Sequence, residues 1–343
     1  MSGQQKNKKG SILILTVWVL IFLTTFAVHM GIKARQRIIL LSRVENRSQL
    51  HYIAQAAMNK AAVAIRKDYE KNRQGYSIYS KYYRHHNPSI FSSIRLGHGR
   101  GEVSYFYYEK ANATPEIYYG VVDEEGKLNI NFASREELNR LMEKIPFIGR
   151  QKGALVVEAI LSWRDLGETQ LQGFYSDNYY EFLEYPYSPK HYFFEYPDEL
   201  LLLQGMTVKF FEQLSRYVTV YGDGRVNINT ASREVLYALG LEDAVIEKFL
   251  FVRRGVDGRD FTLDDYIFEK THDIASDMAQ LVEVKEIEAK QIDTLNKTNK
   301  VKINSAYYFI RTVAKLNNQK DPLVALGVFN TADCQWEYYK EGR

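Results

Sequence analysis

Side chains that commonly do chemistry are thinly spread along this 343-residue chain. The single cysteine, Cys334, excludes an intrachain disulfide and a cysteine-based zinc site. His85, His86 and His98 fall in a stretch punctuated by Gly, Asn and Pro, without the acids or further histidine a metal would need. That stretch reads as a solvated loop. Gly97-His98-Gly99 lacks the following helix of a nucleotide-binding turn, and no nucleophile elbow, P-loop, H-E-x-x-H or dinucleotide fingerprint occurs. Tyr105-Phe106-Tyr107-Tyr108, with Arg and Lys nearby, has the composition of a stacking platform for single-stranded nucleic acid. Cross-strand aromatic pairing accounts for the same residues with nothing added. The chemistry points away from an enzyme and towards a binding protein.

Composition sets the scale of what must position those residues. At 45% hydrophobic and 25% charged the chain is neither generally disordered nor a polytopic membrane protein, and its length calls for two or more packed units. The net charge of +3 conceals a split. Residues 123–290 hold 19 Lys and Arg against 31 Asp and Glu, a net of −12, while the remainder holds 26 against 11, a net of +15. An acidic body is enclosed by basic chain.

That acidic body is internally duplicated. The segment Gly126-Lys127-Leu128-Asn129-Ile130-Asn131-Phe132-Ala133-Ser134-Arg135-Glu136-Glu137-Leu138 recurs from Gly224 to Leu236 with nine of thirteen positions identical. Each copy reads as a short extended lead-in followed by a helix capped at Ser134 or Ser232. Ser134 and Glu137 supply a capping box, and Glu136 and Glu234 fall in the first turn, where the helix dipole favours them. The lead-in also resembles helix-hairpin-helix DNA-binding repeats, so a membrane-anchored DNA-binding protein is the alternative reading. Such a hairpin needs small residues where backbone amides meet a phosphate. Here Phe147 occupies a glycine place in the first copy and Glu242-Asp243 stand at the approach in the second, within a region of charge −12. No nucleic-acid partner is expected.

The amino terminus reads as a membrane anchor. Lys6, Lys8 and Lys9 precede Gly10, and Ile12 to Met30 carries no charged side chain apart from the option of His29, about the length that crosses a bilayer core. The exit of the apolar run is a poor signal-peptidase site. No Gly or Pro interrupts residues 32–73, whose apolar residues fall at mixed three- and four-residue steps. One helix over 11–70 is expected, half in lipid and half with one adhesive face; a plain anchor with a stalk is the simplest reading.

A basic leader, Gly10 and an uncharged helix starting at Ser11 resemble a type IV prepilin. That resemblance implies cleavage after Gly10 by a prepilin peptidase and methylation of Ser11. Most members carry Glu at the fifth mature position; here it is Leu15, and no carboxylate occurs before Glu45. A carboxylate deep in lipid is costly unless paired, and in the family it is thought to pair with the subunit above. A subunit without one fits a place with nothing above it, as in the K-type minor pseudopilins of type II secretion. Ile160-Leu161-Ser162-Trp163-Arg164-Asp165, Asp198 to Thr207 and Tyr217 to Gly222 resemble that family's elements in its order.

The resemblance implies a tip subunit of the pseudopilus that starts fibre assembly and supports secretion across the outer membrane. It also implies a single-pass location in the bacterial inner membrane with the bulk of the chain periplasmic, and other minor pseudopilins and the major pseudopilin as partners. Leu40, Val44, Ile53, Ala57 and Ala61 are expected to pack on companion helices. Family members bind calcium after the Trp-Arg-Asp element; Asp165, Glu168 and Asp177 are the candidate ligands here, although the family motif's Glu is Tyr175 in this chain.

The expected fold is α+β: a long amino-terminal helix packed on an antiparallel pilin-like sheet, interrupted by a mostly helical insertion with two similar helix-hairpin-helix-like units. The expected order is a leader over 1–10, a helix over 11–70, the first part of the pilin-like domain over 71–122, the insertion over 123–290 and returning strands over 291–343. Strands are expected over Gly101–Tyr108, Glu116–Asp123, Val301–Val313 and Leu323–Phe329, with Trp336–Lys340 closing the sheet.

Overall fold

The computed structural model describes residues 9–73, 86–109, 113–146, 149–164, 178–262, 264–317 and 321–342. The chain opens with one helix, α1 (Lys9–Arg73, 65 residues), about 100 Å long at ~1.5 Å per residue. A short helical turn, α2 (Pro88–Phe91), leads into β1 (Ile94–Leu96), β2 (Gly99–Val103), β3 (Tyr105–Tyr107), β4 (Glu116–Tyr118) and β5 (Val122–Asp123). The inserted body follows: β6 (Leu128–Asn129), α3 (Arg135–Lys144), α4 (Arg150–Arg164), α5 (Asn178–Glu181), α6 (Val208–Leu214), β7 (Val218–Thr219), β8 (Val226–Asn227), α7 (Arg233–Ala238), α8 (Asp243–Arg253), α9 (Ile274–Leu281), α10 (Glu286–Lys297) and β9 (Val301–Lys302). The chain returns as β10 (Tyr307–Leu316), β11 (Leu323–Asn330) and β12 (Gln335–Gly342).

The main sheet is antiparallel with strand order β1-β2-β10-β11-β12, and β5 adds to β10. α1 lies on one face of it. Leu50, Ile53, Ala54, Ala57, Met58, Ala61, Ala62 and Ile65 repeat at three- and four-residue steps and are all buried, whereas residues 12–44 are exposed. The close approach depends on small residues on both sides. A Cβ on Gly101 would stand 2.8 Å from Ala57 Cβ, and one on Gly99 only 2.5 Å from Ile53 Cδ1.

Three expected strands are interrupted: Glu116–Asp123 divides into β4 and β5, which join different sheets, and the other two break for a visible reason. The run from Gly101 to Tyr108 breaks at buried Ser104, whose N–H donates to Arg311 O (3.0 Å) while its Oγ accepts from the Arg311 guanidinium (3.2 Å). Beyond this turn, β3 leaves the main sheet and pairs with β4, placing Tyr105 opposite Tyr118. The run from Val301 to Val313 divides because Val301 and Lys302 pair in parallel with Val226 and Asn227 of the second repeat. The helical body thus continues through α10 to Lys297, beyond the expected boundary at 290.

The two repeats fold alike, because the same side chains meet the same kinds of backbone. In the first, Asn131 Nδ2 donates to Phe194 O (2.9 Å) and its Oδ1 accepts from Phe194 N (2.8 Å). In the second, Asn229 does the same with Phe268 (3.0 and 2.9 Å). Arg164 donates to the carbonyls of Ile130 and Ala133, and Arg253 to those of Ile228 and Ala231. Ser134 and Ser232 cap their helices, Ser134 with the full capping box. β6 pairs in parallel with β7 as β8 does with β9.

Three consecutive carboxylates join the sheet to this body. Asp123 Oδ2 accepts from Ser305 Oγ (2.6 Å), Thr230 Oγ1 (2.7 Å) and Asn227 Nδ2 (2.8 Å). Glu124 accepts from Thr219 Oγ1 (2.7 Å) and Lys127 Nζ (2.5 Å). Glu125 pairs with Lys302 and accepts from Ala306 N (2.6 Å). Glu124 and Glu125 are both buried, so each finds its partners inside the fold.

Candidate membrane and assembly surfaces

α1 is the one helix among the described residues long and apolar enough to cross a membrane, and its apolar stretch is wholly unburied by the rest of the chain. Its polar atoms are arranged for lipid. Thr16 Oγ1 donates to Leu13 O (2.8 Å), Thr24 to Leu20 and Ile21, and Thr25 to Ile21 and Phe22 (all 2.9 Å), so none of these three hydroxyls has to seek water. Gly10 and Ser11 stand in the first turn of the helix. Leu15 projects from its exposed surface.

The expected companion-packing face needs correction. Leu40 and Val44 are exposed and free to meet another helix, but Ile53, Ala57 and Ala61 are buried against the chain's own sheet. The small side chains at 57 and 61 serve the close approach to the sheet, and a neighbouring subunit cannot reach them. Of the expected face, Leu40 and Val44 stay exposed, with Ile38, Ile39 and Leu41 exposed beside them.

Asp165, Glu168 and Asp177 lie outside the described residues. Among the described residues no group of three or more His, Cys, Asp or Glu is gathered as a metal site would require. Charged side chains crowd the corner of the second hairpin. Asp243 begins α8 and pairs with Lys144 (2.9 Å) and Arg233 (3.9 Å), and Gly240, at φ +100°, faces Arg140 of α3. The loop between the second unit's helices thus packs onto the first unit.

The aromatic run is structural. Tyr107 stacks on Tyr118 with ring centroids 4.5 Å apart, and both meet Phe261 edge-on. Residues that sequence reasoning missed sit immediately behind. Asp260, 7% exposed, accepts from Arg253 (3.0 Å), Arg254 (2.8 and 3.0 Å) and Tyr107 Oη (2.6 Å), fastening the β3–β4 ribbon to the second unit. Burial opposes ionisation of Asp260, but the two guanidinium groups and the phenol outweigh it and hold the carboxyl well below its ordinary range. The run Arg253-Arg254-Gly255-Val256-Asp257-Gly258-Arg259-Asp260 was the available signal: opposite charges facing one another across two glycines.

Residues 121–223 match the family model described as type II secretion system (T2SS), protein K. No curated protein matches the chain. Among solved structures, a chain of the GspK-GspI-GspJ complex from the enterotoxigenic Escherichia coli type 2 secretion system is similar over 88% of this chain and 98% of its own, at 16% identity and a TM-score of 0.62. At that identity the likeness is one of fold: a long helix on an antiparallel sheet with mixed α and β elements.

Proposed function

We propose that this chain, whose residues 121–223 belong to the protein K family of type II secretion, works as a K-type minor pseudopilin at the tip of the pseudopilus. The observation that carries the reading is the family match, which spans the carboxylate neck and the first helical unit, on a chain whose helix has no carboxylate before Glu45. In this reading α1 is held in the inner membrane with Lys6, Lys8 and Lys9 cytoplasmic and the folded bulk periplasmic. A prepilin peptidase cleaves after Gly10, Ser11 is methylated, and the helix is extracted into the fibre. Leu15, in place of an acid, leaves nothing for an overlying subunit's amine to pair with. The inserted body caps the assembly, which begins with companions of the GspI and GspJ kind and continues with the major pseudopilin. The role is assembly and support of secretion, with no catalysis.

Two experiments test it. Cysteine placed at Leu40 or Val44 in a Cys334→Ser background should crosslink to companion minor pseudopilins, whereas cysteine at Ala57 should not; no crosslink from either exposed position would count against incorporation in a fibre. Gly10 replaced by Trp should block processing, and normal processing of that variant would defeat the prepilin reading. The proposal includes calcium held by Asp165, Glu168 and Asp177. Added Ca²⁺ should raise the Tm of the chain but not of an Asp165→Asn variant, and an equal response of both removes the ion from that position.

A further inference from the structure

We propose that the free edge of β12 is a docking site for an extended, arginine- or lysine-bearing segment of another protein chain. β12 is eight residues long and pairs on one side with β11; among the described residues its other edge has no strand partner. An exposed edge of that length offers a row of main-chain donors and acceptors to any extended segment. A cleft runs beside it, between the strand and the turn Pro197–Leu202 of the inserted body, lined by Tyr196, Asp198, Glu199, Glu337, Tyr338 and Tyr339.

The chemistry of that cleft selects the occupant. Of the three lining carboxylates, Asp198 accepts from Lys340 Nζ (3.0 Å) and Tyr338 Oη (3.1 Å), Glu199 pairs with Lys190 (3.4 Å), and Glu337 meets no cation among the described residues, so the cleft keeps a net negative charge. A lysine on an edge strand ordinarily guards it against pairing. Here Asp198 holds that ammonium against the inserted body, so the guard is neutralised. Tyr196 and Tyr339 are each 45% exposed and present ring surface on which a guanidinium can lie.

An independent observation lies under the cleft. Tyr221 is 8% exposed, and its hydroxyl has no hydrogen-bond partner among the described residues. Its electrostatic neighbours include Tyr196, Tyr338 and Glu337, all lining residues of the cleft. A buried hydroxyl without a partner is costly, and a polar group entering from the cleft is what would satisfy it. Cleft acids repel nucleic acid and anionic lipid alike, which leaves a basic polypeptide. The inference does not rest on incorporation in a fibre, because it concerns the isolated chain.

The test uses the full chain in detergent micelles and a fluorescent peptide of about ten residues alternating Arg with Thr or Val, a period that places every Arg on one face. Binding by anisotropy is expected, with slowed hydrogen exchange in residues 335–342. N-methylation of alternate peptide amides keeps the charge and removes the ladder, and should weaken binding at least about tenfold. Glu337→Gln should weaken it about threefold or more at unchanged Tm, since it removes a charge at the cleft while its amide oxygen can still accept from Asn330 Nδ2. Equal binding of the N-methylated peptide would reduce the effect to bulk charge and overturn the proposal. So would protection that maps to another segment, or no binding at all.

Discussion

Replacing Asp260 by Asn should unfasten the β3–β4 ribbon at a cost that can be worked from the geometry. The amide keeps the shape but loses the charge, and it turns one acceptor into a donor facing Arg253 or facing Arg254 and Tyr107. Arg253 cannot follow its partner out to water: it is 6% exposed and its Nη1 is tied to the carbonyls of Ile228 and Ala231. Removing one member of a buried pair and stranding the other costs about 3–5 kcal/mol. For a body of this size each kcal/mol moves the midpoint by about 2–4 °C, so the fall should be on the order of 10 °C. Thermal and urea unfolding of the full chain in detergent, followed by tryptophan and tyrosine fluorescence, measures it. Tyr107→Phe alone should cost about 1.5–3 kcal/mol, as expected for a hydrogen bond to a charged group. The same change should add much less in the Asp260→Asn background. A loss below about 1 kcal/mol for Asp260→Asn, or strict additivity of the two, would refute the shared latch.

Acidity should act on two nearby carboxylates with opposite sign. Asp260, whose carboxyl is held low, contributes stability that is full above the ordinary carboxylate value of about 4 and disappears as pH falls below it, so the cost of Asp260→Asn should shrink towards pH 2. Burial pushes Asp265 up to about 6, so its ionisation penalises the fold as pH rises from about 4 through 6, and Asp265→Asn should gain on wild type between pH 4 and 7. Chemical denaturation across that range reads both slopes. Asn131→Ala and Asn229→Ala each strand a buried N–H and carbonyl and should cost about 3 kcal/mol apiece; a large disparity between them in urea unfolding would contradict the equivalence of the repeats. Gly101→Val must push α1 off the sheet and should cost about 1–3 kcal/mol, while Leu40→Ala in the isolated chain should change the unfolding midpoint little.

The repeat was legible because its hydrogen-bonding residues are local to the motif: Asn131 and Asn229, Ser134 and Ser232 lie within the thirteen-residue copies. The long helix was legible from residue type alone. What that helix does along its length was less so. Periodicity marks Ile53, Ala57 and Ala61 as a buried stripe but cannot say whether the burying surface belongs to the same chain. The deciding residues are Gly99, which reads in sequence as part of a turn, and Gly101, the expected start of a strand; both prove to be the strand surface that α1 approaches. The broken strands were illegible for a related reason. Ser104 ends β2 through Arg311, and Val301 is claimed by Val226, partners remote in sequence that leave β-propensity unchanged. Asp260 escaped notice because one of its donors, Tyr107, lies far away in sequence, although Arg253 and Arg254 are close by. Of the expected surfaces, the exposed helix was anticipated by composition, whereas the cleft beside β12 exists only once Tyr196 and Tyr338 have been brought together.

The pairing of Asp123 with Tyr308 places the two ends of the inserted body side by side. Until that body has collapsed, β5 and β10 are separated by a loop of nearly two hundred residues, and closing such a loop is entropically expensive before any ladder bond repays it. Once the body has formed, the same separation shrinks to adjacent strands. The order of events follows from the topology: the interior of the sequence condenses first, and the sheet is zipped shut afterwards on ends already held together. During that interval the buried stripe of α1, from Leu50 to Ile65, has no sheet to cover it. The topology predicts a stage in which this stripe is bare, a window in which a holdase or an early partner would find it.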